Sequence, residues 1–181
     1  MTESLDKAFG LALTYADHCL RTEDHIQPSI FAIPEERDGV FMASIKVKSA
    51  NEMVRAKAIM EMVCIVSGAV ECVTMVRSWM VAGSPQEIEE YKCHHDAPHK
   101  TEVIFLMCET QDEICFHIAK VVRYDNQKYF RLVNMEMPDG MPGIAGGQFG
   151  QGVLPPEKAP AHVVAVCKNV LEQHGVILEK C

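Results

Sequence analysis

Three strand-like segments follow one another in the second half of the sequence, separated only by short polar turns. They span residues 102–109, 113–123 and 129–136 and are rich in β-branched and aromatic residues. The separators, Thr110–Asp112 and Asp125–Gln127, are typical of tight turns. A parallel pair would need a crossover of about a dozen residues or more, so strands joined this closely pair antiparallel. The sequence therefore predicts an antiparallel sheet at the centre of the fold.

The rest of the chain adds helices and further strands to this sheet. From apolar spacing and turn residues, the predicted elements are helices over residues 4–20, 49–66, 84–91 and 160–174, and strands over residues 28–33, 40–47 and 70–81. The last helix carries an apolar stripe made of Val163, Val166, Cys167, Val170 and Leu171. We predict a single α+β domain over residues 1–181, with three main helices on five or six antiparallel strands in the order α-β-β-α-β-β-β-β-α.

This order of elements is similar to that of roadblock, longin and profilin-like sandwiches, which place three helices around an antiparallel sheet of about five strands. The resemblance concerns the order of elements alone, and this chain carries one strand more. It implies an architecture of helices packed on a sheet. We assign no family on this basis.

The charge balance argues against two classes of partner. The 181 residues include 17 Lys and Arg against 25 Asp and Glu, a formal net charge of −8. Nucleic-acid binding and docking on anionic lipid both depend on basic side chains that neutralise phosphates. We therefore expect no nucleic-acid partner and no membrane partner.

Compartment and thiol state are predicted from the N-terminus and the cysteines. The first residues lack the basic start and apolar core of a signal peptide, and the uncharged stretch over residues 62–70 is too short to span a membrane. The eight cysteines form no CxxC motif. We expect a cytoplasmic protein with reduced cysteines, most of which act as small apolar residues.

A first candidate site is the segment Cys93–His99, which places a thiol and three imidazoles within seven residues. These are ligands that zinc prefers. Since adjacent residues rarely bind one ion together, the expected set is Cys93, one of His94 or His95, and His99, completed by Asp96 or water. The alternative is a solvated polar loop without a metal.

A second candidate follows from the strand pairing. If a two-residue turn joins the segments before and after residues 111–112, Cys108 lies directly opposite Cys115 and His117 shares their face. Such a cluster could bind a metal or respond to oxidation, or it could be ordinary packing. The opposite face is more apolar and is expected to form the main core; it carries Val103, Phe105, Met107, Ile114, Phe116 and Ile118.

A third candidate is the Pro- and Gly-rich segment over residues 138–160, which holds six of the eleven glycines and five of the nine prolines. Apolar residues within and beside it are expected to contact a partner, because Met and Phe make adaptable binding surfaces. These residues are Met137, Met141, Ile144 and Phe149.

Neither GxSxG nor HExxH occurs in the sequence. Glu102, Glu109 and Glu113 flank strands and turns, where carboxylates are expected to be solvated. We therefore predict a protein-interaction or assembly module, acting as a homodimer or within an assembly, rather than an enzyme. The alternatives are a metal-binding protein or metalloenzyme at Cys93–His99 and a thiol-responsive sensor at Cys108 and Cys115.

Overall fold

The computed structural model describes residues 1–22, 25–36, 39–47, 50–81, 100–124, 129–135 and 152–181. Within these ranges the chain forms three helices and one seven-stranded sheet. The helices are α1 (Glu3–Thr22), α2 (Ala50–Ser67) and α3 (Ala161–Gln173). The strands are β1 (Ser29–Pro34), β2 (Phe41–Ser44), β3 (Ala69–Val81), β4 (Lys100–Thr110), β5 (Ile114–Tyr124), β6 (Tyr129–Met135) and β7 (Glu179–Lys180). The predicted α+β class and antiparallel sheet are confirmed, whereas the predicted helix over 84–91 lies outside the described residues.

The sheet order is β6-β5-β4-β3-β1-β2-β7, and each neighbouring pair is antiparallel. The predicted meander forms the run β4-β5-β6. Because β1 lies between β2 and β3, those two strands run parallel, and α2 makes the crossover between them. The six predicted strand segments correspond to β1–β6, and the seventh strand was missed because β7 has two residues and too little sequence to form a pattern.

The helices cover both faces of the sheet. Helix α1 lies on one face and packs against Ile104, Leu106 and Cys108, while α2 covers the opposite face and α3 packs on α2. The Phe105 face was expected to form the main core, but both faces of the sheet carry a buried apolar cluster. The residues on the face that carries Cys108 are also buried. Ile114, which was expected to belong to the core, is 38% exposed.

Small residues allow α1 to lie close to the sheet. Ala8, Ala12 and Ala16 are each 0% exposed and recur every four residues, so that they form one face of the helix. Thr2 fixes where this helix begins, because its Oγ1 accepts a hydrogen bond from the Leu5 N–H at 3.1 Å. The same hydroxyl donates to Oε2 of Glu71 at 2.8 Å, which ties the start of α1 to β3.

Helix α2 is apolar around most of its circumference, and it has neighbours on two sides. It packs on the sheet through Ala56, Met60 and Val63, and α3 packs against its flank. Gly68 ends the helix as predicted, with φ +64°, a conformation that leads directly into β3. None of the helices in the described ranges has the length and apolarity that a membrane span requires.

Candidate functional site

The β4–β5 hairpin brings the second predicted candidate together. Its turn consists of Gln111 and Asp112, and the Thr110 N–H donates to the Glu113 carbonyl at 2.9 Å. This register places Cys108 directly opposite Cys115, as the sequence predicted. His117 lies two residues further along the same face, opposite Leu106.

Cys108 is a buried thiol beneath the first turn of α1, with 1% of its surface exposed. Its pKa is raised to about 12, first by burial and then by the nearby groups Cys115 and Asp6. The N-terminal ammonium acts in the opposite direction, and it does not reverse the shift. Since the thiolate is the nucleophile, Cys108 is unreactive near neutral pH.

Cys115 is half-buried, and its thiol donates a hydrogen bond to Oε1 of Glu113 at 3.2 Å. This bond to a carboxylate raises the pKa of Cys115, with burial and the charge of Glu113 adding to the shift. Glu113 therefore keeps the thiol protonated.

His117 packs as an aromatic side chain. Its ring centroid lies 4.9 Å from that of Phe9 on α1, with an angle of 59° between the ring planes. Among the residues that the structure describes, no three His, Cys, Asp or Glu side chains are grouped to hold one metal ion. The geometry thus supports a thiol pair at Cys108 and Cys115, and it does not support a metal bound with His117.

The other two predicted candidates fall outside the described residues. Cys93, His94, His95 and His99 lie within residues 82–99, and the zinc prediction for them stays a prediction. Met137, Met141, Ile144 and Phe149 lie within residues 136–151, so their predicted role as partner contacts also stays a prediction. Residues 152–160 of the Pro- and Gly-rich segment are described.

Glu109 organises this described part of the segment. Its carboxylate, expected to be solvated, is 5% exposed and accepts hydrogen bonds from the backbone N–H groups of Val153 at 2.6 Å and Leu154 at 3.0 Å. Val153 itself is 1% exposed and inserts into the core beneath α2. We call residues 152–160 the strap, because Glu109 fastens its beginning to β4.

Gly152 is required where the strap meets the sheet. A Cβ at this position would overlap the Glu109 carboxylate. Further along, Pro155–Ala159 form one wall of a cleft of about 750 Å³ at the C-terminal end of α2, and Lys158 pairs with Glu35 at its rim over 3.4 Å. The sequence could suggest neither feature, since nothing in a lone glutamate indicates that a distant loop will bind it.

Glu102 is a second carboxylate that was expected to be solvated and is 6% exposed. Arg77 on β3 approaches its Oε1 through Nε at 2.8 Å, and Arg123 on β5 approaches its Oε2 through Nε at 2.8 Å. The carboxylate therefore links the three neighbouring strands β3, β4 and β5.

The two edges of the sheet differ in their protection. One edge ends in β7, a two-residue strand of Glu179 and Lys180, both exposed. The other edge is β6, which is seven residues long and regularly paired with β5. Among the described residues β6 has a strand on one side only, so its outer N–H and C=O groups face away from the sheet.

The side chains on β6 add an apolar surface to this edge. Val133 is 39% exposed, Arg131 is exposed, and Leu132 is half-buried against the core beneath α1. Tyr124, at the end of β5, is 51% exposed.

The chain matches no protein-family model, no curated protein and no solved structure. The proposed function therefore rests on the local features described above.

Proposed function

We propose that this protein is an interaction or assembly module that joins another polypeptide through the open edge of its sheet at β6. One observation carries the proposal: within the described residues, a seven-residue edge strand pairs along its whole length with β5, without a bulge and with no strand on its outer side. Its sequence, Tyr129–Met135, contains no Pro, no Gly and no acidic residue, and Arg131 is its one charge.

The contrast with the opposite edge supports this proposal. There the outermost strand is short and charged, which is how proteins prevent unwanted pairing. At β6 the register runs without a bulge from Ile118–Met135 to Tyr124–Tyr129, so an added strand would meet a continuous row of backbone groups. Addition of a strand to such an edge gives affinity through main-chain hydrogen bonds.

A synthetic peptide with the β6 sequence, extended by lysines for solubility, tests the proposal. We expect a fluorescently labelled peptide to bind the full-length protein and Val133→Lys, at the edge, to weaken binding severalfold. Val166→Lys is the matched control, because Val166 is 60% exposed on α3, away from β6. Absence of binding, or equal loss with both variants, would contradict the proposal.

A thiol-responsive role is a second candidate, favoured by the direct opposition of Cys108 and Cys115. Cross-strand neighbours have Cα atoms about 4.5–5.5 Å apart, within the range that a disulfide spans. Oxidised glutathione would accept the two electrons and leave as two reduced molecules. Because both thiols have raised pKa values, we expect this oxidation to be slow at neutral pH and faster as the pH rises towards 12.

Mass spectrometry of digested protein after such treatment would detect the Cys108–Cys115 disulfide, and its absence at high pH would exclude this role.

We further propose that the protein resides in a reducing compartment such as the cytoplasm. The free state of all seven cysteines in the described ranges supports this, as do the raised pKa values of the thiol pair.

A further inference from the structure

We infer that the strand received at this edge is β6 of a second copy of the chain, antiparallel to the first and related to it by a two-fold axis at Leu132. The inference rests on the proposed function and names its partner. Closed two-fold pairing is the commonest form of assembly among soluble proteins, and it needs a surface that is complementary to itself. The residues of β6 meet that condition in one register.

With the axis at Leu132, all seven residues of β6 pair with a partner residue. Leu132 meets its own counterpart, and each residue before it faces the residue equally far after it. Arg131 therefore lies opposite Val133 of the second copy, and Tyr129 lies opposite Met135. Moving the axis by one residue in either direction leaves two residues of each strand unpaired.

Charge favours the same register. Arg131 is exposed and is the one charge on β6. An axis at residue 131 would place the two arginines directly opposite each other, an arrangement that destabilises a strand pair. With the axis at Leu132 each arginine faces an apolar side chain instead, along which its methylene stem can lie.

Apolar packing would also continue across the axis. Leu132 packs against the core beneath α1 and is only half-buried there. A two-fold axis perpendicular to the sheet keeps α1 of both copies on the same side. The two Leu132 side chains then meet on that side, and each covers apolar surface that the other leaves exposed to water.

Charge substitutions at Val133 test this register. In the inferred dimer Val133→Glu places a carboxylate opposite the partner's Arg131, whereas Val133→Lys places a like charge there. By symmetry each change acts twice. We expect the dimer dissociation constant of Val133→Lys, measured by sedimentation velocity, to exceed that of Val133→Glu by at least about tenfold.

The double variant Arg131→Glu, Val133→Lys provides a matched rescue. In the inferred register the glutamate introduced in one copy lies opposite the lysine introduced in the other, so that an opposite-charge pair replaces the like-charge pair. We expect it to dimerise more tightly than Val133→Lys alone, and thermal unfolding of each variant checks that the monomer remains folded. Val166→Lys should leave the wild-type dissociation constant unchanged.

Two outcomes would overturn the inference. In one, the wild type is monomeric at all concentrations reached; in the other, the Glu and Lys substitutions weaken the dimer equally. The β6 peptide distinguishes these failures from a failure of the proposed function. A monomeric protein that still binds the peptide has an edge that accepts a strand from a different protein, whereas one that binds neither has no such function.

Discussion

Glu113 and Cys115 lie two residues apart at the start of β5, where the carboxylate accepts a hydrogen bond from the thiol. The raised pKa of Cys115 comes first from this bond. A thiol so held stays protonated at pH 8, although the N-terminal ammonium acts in the opposite direction on its pKa. Glu113 therefore limits the reactivity of the more accessible member of the thiol pair.

Replacing Glu113 by Gln tests this control. Without the carboxylate the pKa of Cys115 falls, the thiolate fraction at pH 8 increases, and we expect alkylation of Cys115 by iodoacetamide to accelerate severalfold. Peptide mass spectrometry over time measures the rate. Exposed Cys181 serves as an internal reference whose rate should not change, and an unaltered rate at Cys115 would contradict the assignment.

Gly152 illustrates a residue whose side chain must be absent. Gly152→Ala would force its Cβ against the Glu109 carboxylate that holds Val153 and Leu154. We expect a loss of about 1–3 kcal/mol in the free energy of unfolding, measured with urea. Gly10→Ala is the control: a Cβ there meets no atom within 4 Å, and the change should stabilise α1 by about 0.5–1 kcal/mol. Equal effects of the two changes would contradict this role of the strap.

The boundaries of long elements were largely predictable from the sequence. Helix α1 and strands β3, β4 and β5 lie within about two residues of their predicted ranges, because α1 buries an apolar stripe of helical period and the three strands are long apolar segments. Helix α3 shows the limit of such patterns. Of its predicted stripe, Cys167 and Leu171 are buried while Val166 is 60% exposed, because α3 contacts α2 along a narrow line rather than the sheet.

Glu102 on β4 joins the neighbouring strands β3 and β5. Arg77 on β3 and Arg123 on β5 each approach its carboxylate at 2.8 Å. Glu102→Gln leaves two partly buried guanidinium groups without this carboxylate. We expect a loss of roughly 3 kcal/mol in the free energy of unfolding, measured with urea. Glu61→Gln, which removes a half-buried helical pair with Lys57 at 3.8 Å, should cost about 0.5 kcal/mol or less. A Glu102 variant as stable as the Glu61 variant would contradict this linkage.

For the whole molecule, the sequence predicted the fold class and the pairing of Cys108 with Cys115. The opposition of Cys108 and Cys115 could be derived because a two-residue turn fixes the register of a hairpin. Strand order could not be derived, since the position of β1 between β2 and β3 depends on how α2 crosses the sheet. The strap was equally out of reach, because Glu109 and Val153 are brought together only by the complete fold.

The same distinction applies to the proposed function. An interaction role was predicted from the Pro- and Gly-rich segment, whereas the surface now proposed is the strand that immediately precedes it. A sequence shows that Tyr129–Met135 is strand-like, and only the sheet order shows that this strand lies at an edge. The proposed function therefore rests on the position of β6 at the edge of the sheet and not on the composition of the chain.

Residue-resolved amide exchange of the full-length protein, diluted below its dimer dissociation constant and measured with and without the β6 peptide, tests this claim most directly. Alternate residues of an antiparallel strand direct their N–H groups to opposite sides. We expect the peptide to slow exchange at every second residue of β6, at those amides that point away from β5, while amides already bonded to β5 change little. Slowed exchange elsewhere on the molecule without this alternation, or unchanged exchange throughout β6, would contradict the account.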